Sequence, residues 1–167
     1  MHNELTREDL RLMQEELDHR RIVVRPQLIE AVKEARAFGD LSENFEYKAA
    51  KRERGRNESR IRYLENMIKT AVVIADKSSG DTVGLYDKVT VFLEDDGEED
   101  VYQVVTTMRQ DPLHGLVSKE SPVGQALLGK RAGDRFLIKA NENYSYYITI
   151  RSIEKGQDDG SLPLSSY

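Results

Sequence analysis

The chain has 167 residues, 33% of them charged and only 7% aromatic, with no Trp and no Cys. That composition is thin for one large core and suits a long solvated helical element beside a small domain. The missing Cys excludes disulfides and thiolate metal sites. The net charge of −5 argues against a free-standing nucleic-acid binder, but it is uneven: residues 1–75 hold 15 Lys/Arg against 14 Asp/Glu, and residues 76–167 hold 10 against 16. A basic patch in the first half is compatible with that balance. No apolar run approaches the roughly 20 residues of a membrane span. The start, Met1-His-Asn-Glu-Leu-Thr, lacks the basic-then-apolar order of a signal peptide. A cytoplasmic location with no membrane partner is expected.

Thr6 with Asp9 three residues on has the spacing of an approximate capping box and starts a helix. Leu10, Leu17, Val24 and Ala31 recur every seven residues, Met13 takes the matching d-type position, and Leu28 and Ala35 broaden the stripe. Such heptads line a helix that packs along one partner. Pro26 interrupts the pattern and tends to kink a helix, but the stripe continues in phase, so one helix is expected through it. Gly39 suits the left-handed end of that helix. A second helix is expected from Asp40–Ser42 to about Val73, with Phe45, Ala49, Ile61, Leu64, Ile68 and Ala71 as its apolar positions. Between Ala50 and Ile61 it has none, and an antiparallel partner sets Leu28 near Arg54 to Arg56. There the aliphatic stems of arginine are expected to cover the seam. At 1.5 Å per residue each helix is about 45–50 Å long, and the short connection makes them antiparallel neighbours.

After Ala75 the texture changes. Asp76-Lys-Ser-Ser-Gly-Asp reads as a loop and a domain boundary. Tyr86–Glu94 and Val101–Thr107 read as paired strands, with Asp95-Asp-Gly-Glu-Glu-Asp as their turn. Ser121 followed by Pro122 signals a short helix through Leu128, closed by Gly129. Arg135–Ala140 and Tyr144–Ile153 read as two further strands. The fold class is therefore α+β: an antiparallel helical hairpin over 1–75, then a small antiparallel sheet domain with one short helix over 76–155. Residues 156–167 have the composition of a mobile tail.

The chemistry gathers in the hairpin connection, where Asp40, Glu43 and Glu46 fall within seven residues. Two readings stay open. Asp40 and Glu43 have the N-cap and N3 spacing of a capping box. They also suit magnesium, which takes hard oxygen ligands and often only one or two carboxylates, with water and substrate phosphates completing its shell. Two carboxylates are too few for a tight resident site, so no tightly bound cofactor is expected; they suffice to complete a site that another molecule half provides. Beyond them, residues 48–62 hold Lys48, Lys51, Arg52, Arg54, Arg56, Arg60 and Arg62 against Glu53 and Glu58, net +5. Lys48, Arg52, Arg56 and Arg60 are four apart and line one helix face. Such a row can track a phosphate backbone or be a solvated helix face. His2, His19 and His114 are scattered and have no metal-ligand spacing.

Residues 34–51, Glu-Ala-Arg-Ala-Phe-Gly-Asp-Leu-Ser-Glu-Asn-Phe-Glu-Tyr-Lys-Ala-Ala-Lys, closely resemble the tip signature of the bacterial Gre transcript-cleavage factors, the GreA/GreB family. Arg25-Pro26 ahead of it also matches. Residues 117–134, Val-Ser-Lys-Glu-Ser-Pro-Val-Gly-Gln-Ala-Leu-Leu-Gly-Lys-Arg-Ala-Gly-Asp, resemble the family's C-terminal signature. The resemblance implies an N-terminal coiled-coil hairpin and a C-terminal FKBP-like domain that binds bacterial RNA polymerase, with Ser121, Pro122 and Gly124 as candidate contacts. It implies a monomeric accessory factor, not itself an enzyme, whose hairpin enters the polymerase secondary channel where the 3′ end of backtracked RNA is extruded. The family's key carboxylates fall on Asp40 and Glu43, which would hold a magnesium ion shared with polymerase. Ser42 and Asn44 would help place water or RNA, and Phe45, where many members have Ala, would pack against Leu41 or touch polymerase. Lys48, Arg52, Arg56 and Arg60 would hold the extruded RNA.

The resemblance leaves a competing reading, a Gre-fold regulator that occupies the channel and modulates or inhibits polymerase without cleavage. The implied FKBP-like domain also suggests a prolyl isomerase. That activity needs an aromatic-lined pocket, and residues 76–167 have no Trp and few Phe, Phe92 and Phe136.

Overall fold

A computed structural model describes residues 3–39 and 44–166. The chain forms two compact units, one made of Met1–Leu10 with Val72–Tyr167 and the other of Arg11–Ala71. The first ten residues thus go with the sheet, across the boundary expected near residue 75. Among the described residues no helix is long and apolar enough to cross a membrane.

Helix α1 (Arg7–His19) starts from the expected box. Thr6 Oγ1 accepts from the Asp9 N–H at 3.0 Å, and Asp9 Oδ2 accepts from the Thr6 N–H at 2.9 Å. A π-helical turn, Arg20–Val24, then leads into α2 (Arg25–Arg36). Pro26 explains the turn. Proline has no N–H to give, and its ring crowds the carbonyl four residues back. The wider turn, in which the Arg25 N–H reaches the Arg20 carbonyl, carries the helix past it. The helix is continuous, as expected, but the stripe does not stay in phase. Ala35 is buried as expected, but a π turn adds one residue, and Val32 is buried where an unbroken heptad count from Leu17 gives Ala31.

Helix α3 spans Phe45–Thr70, about 39 Å at the standard rise, shorter at both ends than expected. Asn44 is extended and caps it, and Ala71 is extended and ends it. The chain leaves at Ala71 because β2 (Val72–Val73) pairs in parallel with β1 (Glu4–Leu5). Met13, Leu17, Val32, Ala35, Ile61, Leu64 and Met67 form the apolar seam of the hairpin. Its middle, where α3 has no apolar residue, is held by ion pairs, and so the expected cover of arginine stems gives way to charge. Glu16 accepts from Arg60 Nε at 2.7 Å and from Arg20 Nε at 2.8 Å. Arg20 also donates to buried Asn57 at 2.9 Å, and Arg25 grips Glu58 with two bonds of 2.8 Å.

The other unit is built on a five-stranded sheet in the order β5-β4-β3-β7-β6, with β3 Lys88–Leu93, β4 Glu98–Val105, β5 Leu116–Ser118, β6 Arg135–Asn141 and β7 Tyr144–Glu154. All pairs are antiparallel except the edge pair β4/β5, which is parallel. Alternation sends Val89, Val91, Val104, Ile138, Ile148 and Ile150 to one face, where Leu127 of α4 (Pro122–Leu127) covers them. Residues 156–166 do not form the expected loose tail. Asp158 is buried and takes two bonds of 2.8 Å from Arg109. The Leu162 carbonyl takes a third at 2.7 Å from Arg109 Nε, and the Ser165 N–H reaches the Met108 carbonyl at 2.7 Å. A buried guanidinium needs acceptors, and this segment supplies them.

Candidate functional site at the hairpin tip

The tip lies between the end of α2 and the start of α3. Ala37 is the last helical turn's cap, and Gly39 has φ +113°, a conformation glycine adopts without steric cost. Asp40, Leu41, Ser42 and Glu43 lie outside the described residues. On the far side Asn44 makes two bonds. Its Oδ1 accepts from the Tyr47 N–H at 2.9 Å, capping α3, and its Nδ2 donates to the Ala35 carbonyl of α2 at 2.6 Å. One amide thus caps one helix and ties it to the other. The N-cap of α3 is Asn44, four residues beyond Asp40, so α3 does not start in the Asp40/Glu43 capping box allowed by spacing.

Past the cap the surface is aromatic and cationic. Phe45 is 80% exposed and Phe38, on the α2 side, is 75% exposed. Lys48 Nζ stands 5.8 Å from the Phe45 ring centre. Tyr47 is engaged by Arg36 at 5.5 Å and Lys51 at 5.3 Å from its ring, and Arg36 also donates to its hydroxyl at 3.3 Å. That bond, against some burial and with Lys51 nearby, holds the Tyr47 phenol below its ordinary pKa. Sequence reading passed over Phe38, Arg36 and Tyr47. The signal was an aromatic on each side of the acidic segment, but apolar pattern does not tell an exposed ring from a packed one.

The expected basic row divides. Lys48, Arg52 and Arg56 are exposed, and among the described residues none of them has a salt bridge. Arg60 is buried, bound to Glu16 through Nε at 2.7 Å and Nη2 at 3.2 Å, with its guanidinium 5.5 Å from the Tyr63 ring centre. A group so enclosed does not reach a phosphate, so Arg60 leaves the row and belongs to the hairpin's ionic middle. Spacing by four put it on the right face but said nothing of its acceptor, 44 residues earlier.

The candidate contacts in the sheet unit also divide. Ser121 caps α4, its hydroxyl accepting from the Gly124 N–H at 3.0 Å and donating to the Ser118 carbonyl at 2.7 Å. Gly124 is buried, and a Cβ there would lie 2.0 Å from the Ser118 oxygen. Gly124 is therefore a packing requirement, not a contact. Pro122 is exposed at the first position of the helix. Two grooves beside the sheet carry few rings: one of about 300 Å³ has Tyr86 as its single ring, and one of about 760 Å³, between residues 109–116 and 162–166, has the His114 imidazole and no Phe, Tyr or Trp.

Among the described residues no three His, Asp or Glu side chains gather into a metal-binding group. Asp40 and Glu43 carry hard oxygen donors of the type magnesium prefers, and both lie outside the described residues.

The family pattern described as transcription elongation factor, N-terminal, matches residues 3–73, and that described as transcription elongation factor, GreA/GreB, C-term, matches residues 77–155. Transcription elongation factor GreA of Geobacillus kaustophilus is 44% identical over 136 residues, 81% of this chain and 86% of that protein. The GreA of Staphylococcus carnosus is 37% identical over 150 residues, 90% of this chain and 94% of that protein. Among solved structures, GreA factor homolog 1 of Thermus thermophilus is 27% identical over 90% of this chain and 97% of its own, with a TM-score of 0.41. Both halves of the chain match in order and nearly end to end: it belongs to the GreA/GreB family of transcription elongation factors.

Proposed function

We propose that this chain is an accessory factor that binds RNA polymerase, enters its secondary channel tip first, and stimulates cleavage of the 3′ end of backtracked RNA. The observation that carries this reading is the cap at Asn44. With α3 capped there, Asp40 and Glu43 are not required to start the helix, and the donor reading of these two acids stands without its main structural competitor. Family membership supplies the partner and the setting.

Asp40 and Glu43 are the donors, offering carboxylate oxygens to a magnesium ion shared with polymerase. When bound, that ion lowers the pKa of a coordinated water and stabilises charge on the scissile phosphate. Ser42 and Asn44 support the acids, Asn44 by fixing the distance between the two helix ends. Lys48, Arg52 and Arg56, each exposed and without a salt bridge among the described residues, offer their charge to the extruded strand. Arg60 ties α3 to Glu16 on the neighbouring helix. Exposed Pro122, beside the Ser121 cap, is the one of the three candidate contacts that a polymerase could touch directly.

The test is transcript cleavage in a halted, backtracked polymerase complex with Mg²⁺, comparing the chain with its Asp40→Ala/Glu43→Ala variant. We expect rapid 3′-end cleavage, reduced at least 100-fold in the variant while polymerase binding persists. Binding with the same slow background cleavage in both proteins would replace this reading with that of a channel-occupying regulator.

A further inference from the structure

We propose that Phe45 is a stacking platform for a base of the extruded RNA, a role that rests on the cleavage reading above and adds a positioning residue to it. The observation is an aromatic ring left open at the head of a helix face that continues with Lys48, Arg52 and Arg56. Phe45 is 80% exposed and Phe38 75%, although a phenylalanine gains most by burial. Tyr47 nearby is different: its ring and hydroxyl are already held by Arg36 and Lys51. Phe45 has one cation near it, Lys48, at 5.8 Å from the ring centre.

A single exposed apolar residue is ordinary. Position and company make this one different. Phe45 is the first residue of α3, and side chains on a helix lean toward its N-terminus, which here is the tip. Lys48 follows three residues later and Arg52 and Arg56 at four-residue steps, so ring and cations share one face. Rings for bases beside cations for phosphates are the composition of a single-strand binding surface. Stacking is tolerant of sequence because every base has a π-face, as a factor acting on arbitrary transcripts requires. A protein partner would need an apolar pocket for Phe45 and counter-charges for Lys48, Arg52 and Arg56. A polyanion with flat bases meets both needs at once.

The experiment uses a halted polymerase complex backtracked by two nucleotides, its RNA carrying 2-aminopurine at the 3′ end. The full chain with Asp40→Ala/Glu43→Ala is added so that the RNA stays intact. We expect the fluorescence to be quenched on binding. Adding Phe45→Ala to that background should abolish most of the quenching and weaken half-saturation roughly 5- to 100-fold, whereas Phe45→Tyr should retain both. Circular dichroism should be unchanged, because Phe45 is not in the packed seam. Quenching unaltered by Phe45→Ala, retained by Phe45→Leu, or absent with the parent protein would overturn the proposal, the leucine result pointing to an apolar contact with polymerase. The readout needs no cleavage, so the two readings fail separately. Phe45-dependent quenching without cleavage by the unsubstituted chain sinks only the carboxylate reading, and cleavage without such quenching sinks only the stacking.

Discussion

Asn44 serves two helices with one side chain. Its oxygen caps α3 and its nitrogen ties α3 to the Ala35 carbonyl. Asn44→Ala removes both bonds and should destabilise the hairpin by about 1–2 kcal/mol, with amide exchange at Tyr47 rising most. Asn44→Asp keeps the cap acceptor but loses the donor, so it should lie between the two. The sequence pointed elsewhere for a physical reason. A capping-box search rewards an acid three residues after the cap, which Asp40 and Glu43 provide. Asn44 has Tyr47 at that position and caps without the reciprocal bond. The acids were legible as a cluster, and the start of α3 at Asn44 was not, because the capping-box spacing points to Asp40.

The hairpin as an element is apolar at its ends and ionic in its middle, and this sets its response to acid. Burial pushes the Glu16 carboxyl up, but the bonds from Arg60 and Arg20 outweigh it and hold the pKa below the usual value. A depressed pKa stabilises above the unfolded value, about 4.3 for glutamate, and that stability is lost as pH falls through the folded value. The helical signal should therefore weaken on acidification below about pH 4.3, and Glu16→Gln should flatten that limb of a pH–melting profile. Arg60→Met leaves Glu16 short of its best donor and should cost about 1–3 kcal/mol, measured by urea unfolding. The helices themselves were legible from their period. The phase slip after Pro26 was not, because counting sevens assumes that no turn gains a residue, and the π turn gains one. The long-range pairs Glu16–Arg60 and Arg25–Glu58 were equally hidden, since a run of cations looks the same whether or not its acceptors lie on the neighbouring helix.

Across the molecule the least anticipated feature is the enclosed cluster of the sheet unit. Arg109 donates to Asp9 at 3.0 Å and to Asp158 at 2.8 Å, while Thr106 and Thr6 supply further donors to the two carboxylates. Its second anion comes from residues beyond the matched family domain, which ends at residue 155. Burial pushes the Asp158 carboxyl up, and the bonds from Arg109 and Thr6 bring it below the ordinary range. Arg109→Met strands two buried carboxylates and should cost about 3–5 kcal/mol. Deleting residues 156–167 should cost a similar amount in guanidinium unfolding, and the combination should fall short of the sum, because both changes break one network. The strands of this unit were legible wherever they were long enough to alternate. The three-residue parallel β5 was too short to show a period, and residues 156–167 read as a tail because polar, glycine-rich sequence carries no trace of a partner 49 residues away.

The same cluster bears on the order in which a nascent chain can settle. Thr6 waits for Asp158, 152 residues later, and Asp9 waits for Arg109, 100 residues later. The helical unit has no such delay, its inter-helix ion pairs spanning 33 to 44 residues. At about 5–20 residues per second of synthesis, the hairpin can zip while translation continues, and the start of α1 stays without its final partners for on the order of ten seconds. Until Asp158 has left the ribosomal tunnel, Arg109 and Thr6 lack one of their acceptors. Emergence of residues 156–166, rather than completion of the sheet strands, is then the event that lets this unit close.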